Sequence, residues 1–107
     1  MRFGPWYPLA EAATHAVAGP GVLQVRVATG LCDYPRGKSA MIHYQAAADV
    51  RAAAVALAAH HPAAAVAAWW CRHTIEPVDL DDAAATALAA SLVEAFMRRF
   101  GQAPRWP

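Results

Sequence analysis

The segment Val22-Leu23-Gln24-Val25-Arg26-Val27 alternates, with Leu23, Val25 and Val27 on one face and Gln24 and Arg26 on the other. A period of two marks a strand with one face buried, so the chain must supply strands to pair with it and a layer to cover that face. With 107 residues there is material for one hydrophobic core and not for two, and residues 1–107 read as a single domain. Apolar residues make up 58% of the chain, but many are alanines, which add little area to a core. Packing must therefore fall on Trp6, Tyr7, Trp69, Trp70, Phe96, Phe100 and Trp106 together with the valines and leucines.

Residues 1–20 form an aromatic and helical extension: Phe3, Trp6 and Tyr7 stand among Pro5 and Pro8, and Leu9 to Val17 suits a short helix stopped by Gly19 and Pro20. After the strand from Gly21, the turn residues Gly30, Asp33, Pro35 and Gly37 lead into a second extended run, Ser39 to Tyr44, and so predict a hairpin. Asp49 suits the start of a helix reaching about His60, with Val50, Ala54 and Leu57 on one face and Pro62 ending it. Val66 to His73 predicts a third strand, and burial of at least one of Trp69 and Trp70 follows. Asp79, Asp81 and Asp82 then precede Leu88, Leu92 and Phe96 at helical spacing, with Arg98, Arg99 and Gly101 suited to the end of that helix. The order predicts an α+β fold: a small three-stranded antiparallel sheet flanked by helices.

Nine Lys and Arg against eight Asp and Glu leave a net charge of +1, so any basic surface must be local. The longest apolar tracts, Ala52 to Ala59 and Ala63 to Cys71, are split by His60, His61 and Pro62 and are too short to cross a membrane. With Pro5 and Pro8 interrupting the start, no signal segment is read, and a soluble, cytoplasmic protein is expected. Cys32 and Cys71 read as free thiols. Cys71 and His73 share a strand face and could form a thiolate pair or half of a metal site. No matching ligand pair lies elsewhere, so neither a metal nor another cofactor is expected. Asp79, Asp81 and Asp82 lack the glycine and distal glutamate of a calcium loop and suit capping, and His60-His61 suits a helix C-terminus. The loop Asp33 to Ser39 concentrates polar, aromatic and cationic groups and is the best binding-loop candidate. It is no phosphate-binding P-loop, since Cys32 stands where the first glycine is needed.

Gly21-Val22-Leu23 and His43-Tyr44-Gln45, followed by Ala47, Asp49, Val50 and Arg51 and later by Phe96 to Pro104, resemble in order and spacing the GIY-YIG nuclease superfamily over roughly Gly21 to Pro107. The resemblance implies a hairpin bearing two tripeptides, a helix carrying an arginine and a later helix carrying a carboxylate. It also implies metal-dependent phosphodiester cleavage, in which tyrosine helps activate water, arginine stabilises the phosphate and glutamate holds the metal. In this sequence Leu23 takes the first tyrosine position, His43 the second, and Gln45 that of a glycine. The arginine position falls on Ala53, with Arg51 two residues earlier. The glutamate position falls on Val93 with Glu94 beside it, and one residue turns a helical side chain by about 100°. The chain thus resembles a divergent member without the metal-dependent set.

The expected function is binding or transformation of a small anionic molecule in the equivalent cleft. His43, whose unperturbed pKa is about 6.5, and Tyr44 would be the catalytic pair, with Arg26, Lys38, Arg51, Arg72, His73 and Glu94 contacting substrate. Arg72, on the other strand face from Cys71 and His73, is expected to reach Glu94. The alternative is a nucleic-acid-binding or weakly active nuclease domain on which Arg36, Lys38, Arg51, Arg98 and Arg99 converge. A third reading is a partner-binding domain that forms a homodimer through its aromatic N-terminus and the alanine-rich helix.

Overall fold

A computed structural model describes residues 1–107. In chain order the elements are β1 (Arg2–Phe3), β2 (Tyr7–Pro8), a 3-10 turn (Leu9–Glu11), α1 (Ala12–His15) and β3 (Gly21–Val27). There follow β4 (Cys32–Tyr34), β5 (Gly37–Ser39), β6 (Met41–Ala47), α2 (Val50–His60), α3 (Ala63–Val66), β7 (Trp69–Glu76) and α4 (Asp82–Phe100). The fold is α+β, with an antiparallel sheet and four helices. No helix is long and apolar enough to cross a membrane.

β3 pairs with β6 on one side and β7 on the other, so the predicted hairpin and third strand surround it. The sheet has five strands rather than three, because β1 and β2 both pair with the free edge of β7. Between them Gly4 donates its N–H to the His73 carbonyl at 2.9 Å. A Cβ at Gly4 would lie 2.9 Å from Ile75 Cγ2, so the chain can approach this closely only without a side chain. The turn between β3 and β6 folds into its own small hairpin, β4–β5.

The alternating pattern predicts one buried face for β3, but the strand is covered on both. Leu23, Val25, Ile42, Cys71 and Trp69 pack with Leu9, Ala12 and Ala16 and with Val50 and Ala54 of α2. Val22 belongs to a second cluster with Leu80, Ala85 and Ala89, because α4 lies across that face. Gln24, read as solvent-facing, is 4% exposed as a result. Ile42 reaches the first cluster through an irregularity of register: Val25 opposes His43 but Arg26 opposes Met41, leaving Ile42 as the extra residue.

Helix ends follow the sequence closely. Asp49 accepts a hydrogen bond from Ala52 N–H at 3.0 Å and Asp81 from Ala84 N–H at 2.8 Å, satisfying first-turn donors of α2 and α4. Gly101, at φ +84°, donates to the Met97 carbonyl and ends α4.

The hydroxyl of buried Thr74 accepts the Val22 N–H at 3.1 Å, inside the sheet. Thr74→Val keeps the shape and leaves that donor without a partner, which costs about 1–3 kcal/mol. Urea denaturation should show a lower midpoint with an unchanged slope.

Candidate anion-binding site

One sheet face carries Gln24 and Arg26 from β3, Trp70 and Arg72 from β7, and Tyr44 from β6. Register sets Gln24 between Tyr44 and Arg72, and Arg26 opposite Trp70. The loop between β1 and β2 lays Trp6 onto this face. The Arg72 guanidinium lies 4.4 Å from the centre of the Trp6 ring and 4.8 Å from that of Phe3, and its Nε donates to Gln24 Oε1 at 2.7 Å. The Arg26 guanidinium sits 5.2 Å from the Trp6 ring, and its Nε donates to the Val27 carbonyl at 3.2 Å. Burial pushes the pKa of Arg72 down; Tyr44 opposes that shift and the like charge of Arg26 adds to it. Arginine nonetheless remains a cation at any ordinary pH.

Neither guanidinium has a carboxylate at ion-pair distance. Glu76 holds Arg2 at 3.0 Å, Asp33 lies 3.6 Å from Lys38, Glu94 holds Arg98 at 2.8 Å and Glu11 meets His15 at 3.3 Å. Asp49 and Asp81 cap helices. Two neighbouring cations thus share one indole with no acid between them, and both keep their terminal Nη groups free of protein partners. A cavity of about 240 Å³ opens here, lined by Trp6, Arg26, Ala28 and Trp70.

A second cavity, of about 540 Å³, adjoins the first and shares its indoles; Tyr7, His15 and His73 also line it, with Pro5 and Pro8. Tyr7 Oη lies 2.8 Å from His73 Nδ1. Burial raises the phenol pKa and the neighbouring Cys71 adds to the rise, so Tyr7 keeps its proton. Imidazole nitrogen accepts better than thiol sulfur, so the phenol donates to Nδ1 and the ring proton of neutral His73 sits on Nε2. The Cys71 thiol, pushed up to about 11 by burial, stays protonated and is a poor nucleophile or ligand. No cluster of three or more His, Cys, Asp or Glu side chains could hold a metal ion.

Of the sequence candidates, Arg26, Arg72 and Tyr44 share this sheet face and His73 lines the second cavity, while His43, Lys38, Arg51 and Glu94 lie elsewhere. His43 is next to Tyr44 in sequence but projects from the opposite face, where its ring stacks on Trp106 at 4.5 Å and Nε2 meets Gln45 Oε1 at 2.9 Å. The two therefore cannot act as a pair on one substrate. His61 and Trp69 complete that aromatic cluster around Trp106. Arg51 donates from Nε to the Ala16 carbonyl at 2.9 Å, tying α2 to the N-terminal segment. Glu94, expected beside Arg72, pairs within its own helix instead. Lys38 faces Asp33 across the β4–β5 hairpin, and Arg36 donates to the Met97 and Arg98 carbonyls at the end of α4. The cations of the expected binding loop thus serve its own packing. Trp6, Tyr7, His15 and Gln24 were not singled out as site residues; the only signal for the first two is an aromatic pair between two prolines.

Comparison with protein-family models, curated proteins and solved structures returns no match.

Burial lowers the pKa of both His43 and His73; for His43 the Gln45 hydrogen bond opposes this and His61 adds to it. Each is neutral in the fold at pH values where the unfolded chain, titrating near about 6.5, takes up a proton. The stabilisation is complete above the unfolded value and is lost as pH falls through it toward the folded values. Thermal unfolding followed by circular dichroism should show Tm falling between about pH 7 and about pH 5, and less steeply in a His43→Gln/His73→Gln double variant.

Proposed function

We propose that this domain binds a small anionic molecule through Arg26 and Arg72, on a GIY-YIG-like frame that lacks the metal-dependent nuclease residues. The observation that carries the reading is the pair of guanidiniums lying on one indole with no carboxylate partner. Both side chains are held in place by Gln24, Val27 and the aromatic rings before any ligand arrives. Preorganised, partly desolvated donors of this kind recognise an anion at small entropic cost.

With the β4–β5 hairpin and the one-turn α3 set aside, the order β3, β6, α2, β7, α4 supports the family likeness. The signature positions support the loss of nuclease chemistry: Leu23 is fully buried in the core, and His43 is stacked on Trp106. Ala53 offers no guanidinium and Val93 no carboxylate. The anion site we propose lies on the other sheet face from Leu23 and His43, so the ligand would occupy different ground from a family substrate.

Calorimetric titration with inorganic phosphate and sulfate at low salt tests this reading. Binding is expected, and Arg26→Gln and Arg72→Gln should each weaken it about tenfold, the loss of one charge-assisted contact. Because Arg72 also packs between rings, its variant is compared with Arg72→Lys, which keeps the charge and the aliphatic stem. Absence of anion binding by the folded wild type, or binding unchanged in both glutamine variants, would overturn the assignment. Incubation with DNA and RNA duplexes in magnesium or manganese should give no cleavage; metal-dependent cutting would restore the nuclease reading.

A further inference from the structure

The two cavities share two lining residues, Trp6 and Trp70. On one side is Arg26, with Arg72 behind it against the Trp6 ring; on the other are His73, His15 and Tyr7 between two prolines. We propose that both sides form one site for a nucleoside phosphate, with the phosphate on Arg26 and Arg72 and the base against the indoles, where His73 Nε2–H donates to its edge. The proposal rests on the anion-binding reading above and names the ligand class.

Three observations lead to this class. The anion end presents two guanidiniums over one indole whose Nε groups are already engaged and whose Nη donors have no protein partner. Two cations and that many donors exceed what a single carboxylate can use, and match the charge and the three terminal oxygens of a phosphate monoester. Beside it, Trp70 keeps 37% of its surface open although it is a large apolar side chain. An exposed indole next to arginine suits stacking with a flat heteroaromatic ring, a contact that does not depend on which base is present. Finally, the larger cavity has apolar walls and few polar groups, and the Tyr7 bond to Nδ1 fixes which His73 nitrogen donates. Few, oriented donors in an apolar cavity are what a small-molecule site needs in order to hold one face of a ring.

Isothermal titration calorimetry on the full chain with AMP, UMP, adenosine, inorganic phosphate and benzoate tests the proposal. The nucleotides should bind at least about tenfold more tightly than phosphate or adenosine alone, since each of these has half of the contacts. Trp70→Leu, which keeps an apolar side chain on the strand, should bring nucleotide affinity down to that of phosphate and leave phosphate binding unchanged. His73→Ala should narrow the difference between AMP and UMP. Nucleotides binding no more tightly than phosphate would overturn this proposal while leaving the anion site standing; no binding of either would remove both. Benzoate binding as tightly as AMP would overturn the phosphate assignment. A 5′-phosphorylated tetranucleotide separates the two sources of the same chemistry: tighter binding than AMP assigns the site to a strand end, and equal or weaker binding to the free nucleotide.

Discussion

The candidate site depends on the pairing of the first eight residues with the outer edge of β7. That pairing is short, with Arg2 and Phe3 opposite Glu76 and Thr74, and Tyr7 and Pro8 opposite Cys71 and Trp70. The Arg2–Glu76 ion pair is exposed and adds little. What anchors the segment is burial of Tyr7 and Leu9 and the close approach of Gly4 to β7. Because two strand pairs flank a loop that leaves the sheet, Trp6 is carried over one face while Tyr7 remains beneath the other. β7 alternates in the same way, with Trp70 and Arg72 on one face and Cys71 and His73 on the other. The arginine side and the imidazole side therefore lie on two faces of one strand, and Trp6 and Trp70 line the cavity of each.

Much of this fold was legible in local signals. Alternation through Val25, the capping residues Asp49 and Asp81, and Gly101 at the helix stop each act within a few residues, so sequence position alone reveals them. The number of strands was not legible, because β1 and β2 are two residues each and carry no periodicity of their own. They become strands only because β7 offers them unpaired groups. The third strand runs from Trp69 to Glu76 rather than from Val66 to His73: Val66 closes a helical turn, Ala63–Val66, that follows Pro62. Alanine has little side chain to pack on a pleated surface, and proline begins a helix readily.

The site residues were legible as types and not as a constellation. Arg26 and Arg72 stand out as charges within apolar strands, but nothing local says that register sets them within reach of the same indole. Arg72 lies on the strand face away from Cys71 and His73, which suggests Glu94 as its partner, yet an i,i+4 arginine is always within reach of a helical glutamate. A near-neutral total also concealed the local excess: most acids are engaged at helix ends or in surface pairs, so +1 over the chain is compatible with two adjacent uncompensated guanidiniums.

Two like charges side by side oppose each other, and the arrangement persists because of what surrounds them. A guanidinium is weakly hydrated and flat, so stacking on Trp6 and Phe3 replaces much of the water that Arg72 loses, and Gln24 satisfies its inner N–H. Lysine in either position would lose that stacking and hold its charge at a point, which is why Arg72→Lys preserves charge without reproducing the planar set of donors. Under the reading proposed above, the residual repulsion would favour an anion: an incoming negative group would relieve a strain already present in the fold, and the side chains that meet it need little further ordering.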